Sequence, residues 1–113
     1  MKKTTWFSVF SVIALCMSTL GSAYAADRRV SVINNTSYTL ERLYGSNVDT
    51  GSWEDDIFRS GVLLPGYRVN VNFDDGTGHC RFDLKAVFSN GAVVVRRNVN
   101  VCAIEHWTIS DGD

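Results

Sequence analysis

Residues 80–102, CRFDLKAVFSNGAVVVRRNVNVC, constrain the fold of this chain more than any other stretch. Cys80, Phe82, Leu84, Ala86 and Phe88 alternate with polar or small neighbours. That period of two belongs to a strand with one buried and one wet face. Asn90-Gly91 is a strong two-residue hairpin signal, and the apolar run Ala92–Val95 leads the return strand. A two-residue turn would set Ser89 opposite Ala92. Phe88 would then face Val93, Ala86 Val95, Leu84 Arg97, Phe82 Val99 and Cys80 Val101. Four of these last five pairs are apolar on one face, so turn and pattern agree. Cys102 resists this register, because it falls on the opposite face from Cys80. A disulfide needs the two Cβ atoms about 3.5–4.5 Å apart. The expected resolution is a bulge within Arg96–Cys102, or strand pairing that ends before the cysteine.

Other segments read the same way. In YRVNVNF, Tyr67, Val69, Val71 and Phe73 alternate with Arg68, Asn70 and Asn72. RRVSVIN precedes it with Val30 and Val32 on one face, YTLERLYGS forms a second strand, and AIEHWTIS closes the chain. Turn chemistry separates them at Asn34-Asn35-Thr36, Pro65-Gly66 and Asp74–His79. No repeat or long helical period interrupts the series. The expectation is an all-β fold, a small antiparallel β-sandwich of about six to seven strands with one short helix and one disulfide. The helix is placed in GSWEDDIFRSG. There Ser52 with Asp55 three residues on reads as a capping box, and early acids suit a helix N-terminus. Ile57, Phe58, Val62, Leu63 and Leu64 would pack that helix over an open end of the sandwich, with Trp53 in the core or standing out as an exposed anchor.

The first 25 residues read as a secretory signal peptide: Lys2 and Lys3, an uncharged run from Trp6 to Leu20, and Ala23-Tyr24-Ala25 as the cleavage motif. The run is too short and too serine-rich for a good transmembrane span. Leu15 is bulky where a lipoprotein site at Cys16 would want a small residue. The domain is then 26–113, with no transmembrane segment, exported to the periplasm or outside the cell. It keeps nine Lys plus Arg against twelve Asp plus Glu, a net charge of −3. That balance argues against nucleic-acid binding and polybasic membrane adhesion. In an oxidising compartment Cys80 and Cys102 read as a disulfide. Closing this short loop stabilises by roughly 3 kcal/mol, which matters in a domain too small to bury much core. No neighbouring Cys-x-x-Cys or Cys-x-x-His spacing points to a metal instead.

Several motifs lie in order along the chain: Asn34 to Thr36, Tyr38-Thr39-Leu40, Leu43-Tyr44 with Ser46, Trp53 to Phe58, Pro65-Gly66, Cys80 to Leu84, and Cys102. In these the chain resembles a family of small exported bacterial β-sandwich proteins of uncharacterised function, across nearly all of 26–113. Phe58 stands where leucine is commoner in that family, and Glu54 where glycine is common. The resemblance implies a compact exported β domain and brings no activity with it.

The candidate chemistry is thin. Catalysis by a triad needs a nucleophile, a base and an orienting acid. No Gly-x-Ser-x-Gly elbow is present, and the cysteines are tied together. His79 sits in a turn and His106 beside Trp107 in the last strand, both read as surface residues, and the chain is read as a non-enzyme. The acids Asp55, Asp56, Asp74 and Asp75 lie in expected loops. Were they to meet at one end of the sandwich, their oxygens would suit calcium, which tolerates irregular loops. Their plainer reading is capping and turn formation. For binding, Arg81, Asp83, Lys85 and Arg96 are expected together on the wet face of the hairpin, with Trp53 as a further anchor. Arg97, opposite Leu84, must pair with an acid, snorkel to an edge, or mark where a bulge switches the face; Asp83 is its candidate partner.

These readings favour an exported, non-enzymatic binding protein that recognises another protein, with an enzyme inhibitor or immunity protein as one concrete form. The alternatives are a calcium-stabilised structural or cell-surface module, and a small secreted enzyme or toxin. No other cofactor is expected.

Overall fold

The computed structural model describes residues 26–113; the expected signal peptide lies outside them. Six strands follow in order: β1 (Arg29–Asn35), β2 (Leu40–Asn47), β3 (Arg68–Asn72), β4 (Arg81–Phe88), β5 (Val93–Asn100) and β6 (His106–Ser110). They form two three-stranded sheets, β3-β1-β6 and β2-β4-β5. One pairing departs from the antiparallel rule: β1 runs parallel to β6, with Val32 beside Trp107.

The apolar alternation fills the space between the sheets. Val30, Val32, Val71, Phe73 and Ile109 from one sheet and its margin join Leu40, Leu43, Phe82, Leu84 and Ala86 from the other in one buried cluster. Phe73 and Phe82 meet with ring centroids 6.1 Å apart. Gly45 makes room for them: a Cβ there would come within 2.5 Å of the Phe73 ring. The alternation expected in YRVNVNF holds for Val71 and Phe73, but Tyr67, one residue before β3, is 62% exposed.

The hairpin differs from its expected register in a specific way. Its turn takes three residues, Ser89 to Gly91, with Phe88 N–H donating to Ala92 O at 2.9 Å and Gly91 N–H to Phe88 O at 2.9 Å. Gly91 has φ 88°, the left-handed residue that such a turn requires. The extra residue shifts the register by one, so Ala86 faces Val94 and Leu84 faces Arg96. Val94 turns inward, while Val93 and Val95 point out, 52% and 36% exposed. A bulge opposite Asp83 then restores the original register, and Phe82 again faces Val99. Arg97 and Asn98 form it, with Asn98 at φ 57°. The bulge therefore falls inside the expected Arg96–Cys102 interval.

Strand pairing also ends before Cys102. After Asn100 the chain turns, with Ala103 N–H donating to Asn100 O at 3.1 Å, and Cys102 reaches Cys80 with a Cα–Cα distance of 5.3 Å. Both devices proposed for the disulfide are thus present.

The expected helix is not. Residues 51–64 form a series of turns. Glu54 (φ 63°) and Arg59 (φ 59°) occupy the left-handed region, which a right-handed helix cannot contain. Asp56, counted toward a helix cap, serves the edge of β2 instead. Its Oδ1 accepts from Leu43 N–H at 2.9 Å and from Phe58 N–H at 3.0 Å. Ile57 N–H donates to Leu43 O, and Leu63 exchanges two backbone bonds with Leu40. The segment closes the free edge of β2 by continuing its hydrogen bonding.

Buried Asn34 locks this closure in place. Its Nδ2 donates to Tyr38 O at 2.8 Å and Leu63 O at 2.9 Å, and its Oδ1 accepts from Thr36. A fully buried amide is tolerated because each of its groups is satisfied.

Candidate functional site

Side chains pointing away from the core on β2-β4-β5 form one continuous outer face. The ladder places Tyr44 beside Lys85 and Ser46 beside Asp83. Lys85 in turn neighbours Val95, and the bulge sets Arg97 against Asp83. Trp53 lies over this face, half-buried, outside the core cluster, so of its two expected places it takes neither fully. Its ring stands 6.5 Å from that of Tyr44. Lys85 Nζ lies 5.2 Å from each of the two rings, and the Arg97 guanidinium 5.4 Å from Trp53. Contacts of this kind contribute about 0.5–1 kcal/mol each at exposed positions.

Asp83 organises this end of the face. Its Oδ1 accepts from the backbone N–H of Asn98 at 2.9 Å, and its Oδ2 from Arg97 Nη1 at 3.2 Å. Arg97, not Arg96, is thus the β5 arginine of the outer face. Arg96, expected there, instead stands opposite Leu84 and reaches Asp113 at 3.8 Å. The reason is the register shift set by the three-residue turn, which exchanges the two arginines. Arg81 keeps its expected outward side and donates to Asn98 O at 3.3 Å.

Beside Trp53 opens a pocket of about 300 Å³, lined by Ser46, Trp53, Asp83 and Arg97 together with residues 50–52. Ser46 is 3% exposed, and its hydroxyl has no hydrogen-bond partner among the described residues. Leaving a buried hydroxyl without a partner costs about 1–3 kcal/mol.

The four acids considered for calcium are not brought together. Asp56 is bound to β2 at Leu43, whereas Asp75 Oδ2 accepts from Asn47 Nδ2 at 2.8 Å. Those anchor points are four residues apart on one strand, about 13 Å. Asp74 Oδ1 accepts from Gly76 N–H, and Asp55 is exposed. Among the described residues no three His, Cys, Asp or Glu side chains form a metal-binding group.

A chain of hydrogen bonds joins the Asp74–His79 turn to the end of β2. His79 Nε2 lies 2.8 Å from Asp49 Oδ2, its Nδ1 lies 2.6 Å from Thr77 Oγ1, and Thr77 Oγ1 donates to Asp75 Oδ1. The order Asp, His, Thr resembles a catalytic relay, but the Thr77 hydroxyl is engaged by Asp75. Burial raises the Asp75 carboxyl, while the bonds from Asn47 and Thr77 outweigh it and hold the group below the usual carboxylate range. Arg28 supports the same turn from β1's side, donating to His79 O at 2.6 Å and Gly78 O at 3.0 Å. The sequence shows these residues only as scattered turn formers, and no local spacing reveals that they meet.

No protein-family model, curated protein or solved structure matches this chain. Its reading therefore rests on its own residues.

Proposed function

We propose that this chain is an exported, non-enzymatic protein-recognition module that acts in the periplasm or outside the cell, an inhibitor or immunity protein being one concrete form. The binding surface in this reading is the outer face of β2-β4-β5 with the adjoining edge of β5. One contrast carries it. The free edge of β2 is closed by Asp56, Ile57 and Leu63, whereas among the described residues β5 is an edge strand that pairs only with β4. Along that open edge, Val93 and Val95 are exposed beside the Lys85–Trp53–Tyr44 cluster. Open edges invite pairing with another chain, and proteins usually guard them. A segment of a partner adding a strand there would gain main-chain bonds from β5 and side-chain contacts from the valines.

Export is supported by the signal-like first 25 residues and by a disulfide in a small domain. Among the described residues no helix is long and apolar enough to cross a membrane.

The test is affinity capture from envelope extract with the native protein and with a Val93→Lys/Val95→Lys variant. Both positions are exposed, so folding stability should stay within about 0.5 kcal/mol per site. The proposal expects a stoichiometric partner with the native protein and its loss with the variant. Capture of no partner, or equal capture by both proteins, overturns it.

A further inference from the structure

We propose that the Cys80–Cys102 disulfide is a directed site of thiol–disulfide exchange: an incoming thiolate is captured on Cys102, and Cys80 leaves as a thiolate under the guanidinium of Arg28. This chemistry is independent of protein recognition.

The two half-buried sulfurs have different surroundings. Arg28 Nη2 reaches Cys80 Sγ at 3.9 Å. The rest of its guanidinium donates to main-chain carbonyls: Nε to His79 O at 2.6 Å, Nη1 to Ala26 O at 3.1 Å and Nη2 to Gly78 O at 3.0 Å. Those bonds hold it at the sulfur but leave its charge unanswered, because no carboxylate pairs with Arg28 among the described residues. The neighbouring acids are occupied. Both oxygens of Asp27 accept from Arg29, and Asp49 meets the His79 ring. Around Cys102 the balance is opposite. It lines an opening of about 400 Å³ with Asp27, Arg29, Ala103, Ile104 and Glu105, which Cys80 does not line. Asp27 and Arg29 cancel there, so the exposed Glu105 leaves that rim negative.

Thiol–disulfide exchange depends on which sulfur is attacked and on how well the other carries negative charge away. A cation beside a cysteine favours its thiolate, and an acid beside one opposes it. Arg28 therefore makes Cys80 the better leaving sulfur, and Glu105 makes Cys102 the worse. The opening also admits the nucleophile to Cys102. In the step, the incoming sulfur forms a bond to Cys102 Sγ, the Cys80–Cys102 bond breaks, and its electron pair departs on Cys80. The incoming thiol is oxidised into a mixed disulfide and Cys80 is reduced. The co-reactant is a small thiol with no further negative charge, because Glu105 disfavours a second anion at the rim. The backbone keeps the two cysteines together after the bond opens: Val101 N–H donates to Cys80 O at 2.9 Å and Cys102 N–H to Asn100 Oδ1 at 3.0 Å. Cys80 thus stays in place to re-attack Cys102 and expel the adduct, which makes the exchange reversible.

The test treats the oxidised native protein with excess 2-mercaptoethanol, quenches with acid, caps the free thiol with N-ethylmaleimide and locates both groups by peptide mass. The mercaptoethanol adduct is expected on Cys102 and the maleimide on Cys80. Arg28→Gln should slow the exchange about threefold to tenfold, and Arg28→Lys, which keeps the charge, should restore part of the rate. Near-ultraviolet circular dichroism checks that each oxidised variant is folded. Loosened packing would not imitate the expected result, since it would expose the disulfide and speed the exchange. An adduct that merely followed attraction of the incoming thiolate to Arg28 would form on Cys80. An adduct on Cys80, equal labelling of the two cysteines, or an unchanged or faster rate in folded Arg28→Gln overturns the assignment. The position of the adduct is read on the native protein, so it decides the matter even where Arg28→Gln does not fold.

Discussion

The carboxylate of Asp83 accepts a hydrogen bond from the backbone N–H of Asn98, 2.9 Å away across the hairpin. Asn98 is the left-handed residue of the bulge, so Asp83 fixes the point at which β5 regains the register lost at its turn. Asp83→Ala should cost about 0.5–1.5 kcal/mol, because it removes the bond that holds the bulge at Asn98 and frees Arg97. Asp83→Asn keeps an acceptor and should cost less. Urea unfolding of the two variants measures the difference, and equal midpoints would remove the anchoring role.

Glu54 adopts φ 63°, a conformation that costs a residue with a Cβ about 1–2 kcal/mol. Glycine adopts this conformation without that cost. After allowance for glycine's greater unfolded-state freedom, Glu54→Gly should stabilise by up to about 1 kcal/mol. In a domain of this size that raises the melting temperature by roughly 4–8 °C. A thermal scan showing no rise would mean that the Glu54 side chain makes a compensating contribution.

Gly45 lies against the Phe73 ring so closely that an added Cβ would come within 2.5 Å of it. Gly45→Ala should destabilise by about 1–3 kcal/mol through overpacking. Adding Phe73→Leu, which withdraws the ring, should recover part of the loss. The double-mutant cycle tests this, and strictly additive effects would show that the two residues do not compete for the same space.

Burial alone would raise the Asp75 carboxyl, but the bonds from Asn47 and Thr77 hold it below the usual carboxylate range in the folded protein. A depressed folded value means that its contribution to stability is present above the unfolded value and is lost as pH falls through the folded one. Acid unfolding of the native protein should therefore steepen below about pH 4, and Asp75→Asn should flatten that part of the profile. Superimposable profiles of the two proteins, measured by melting temperature against pH, would refute the linkage.

Strand positions were legible in the sequence because burial on one face writes a period of two into the chain. The core residues Val30, Val32, Phe82 and Leu84 follow directly from it. The conflict at Cys102 also located the bulge, because a covalent bond and a strict ladder cannot both be satisfied. The turn was less legible. Asn90-Gly91 serves two-residue and three-residue hairpins alike, since both need a residue with positive φ. That single ambiguity exchanged Arg96 for Arg97 and turned Val93 and Val95 outward. The stretch from Gly51 to Leu64 misled for a different reason. Its acids and apolar residues fit a capped helix locally, but their partners, Leu40 and Leu43, lie on a strand already passed. The pocket was hidden in the same way: Ser46, Trp53, Asp83 and Arg97 are spread over β2, a loop, β4 and β5, and only the sheet gathers them.

The parallel union of β1 with β6 ties the first strand to the last, as in the side-chain bond between Asn35 and Ser110, 75 residues apart. Closing so long a loop places this domain among slow-folding, high-contact-order topologies. Its β3-β1-β6 sheet is complete only when β6, the last of the six strands, docks beside β1. Until it docks, one edge of β1 lies bare, so the two halves of the sandwich reach completion at different moments: β2-β4-β5 closes on its own, and the opposite sheet waits for its final strand.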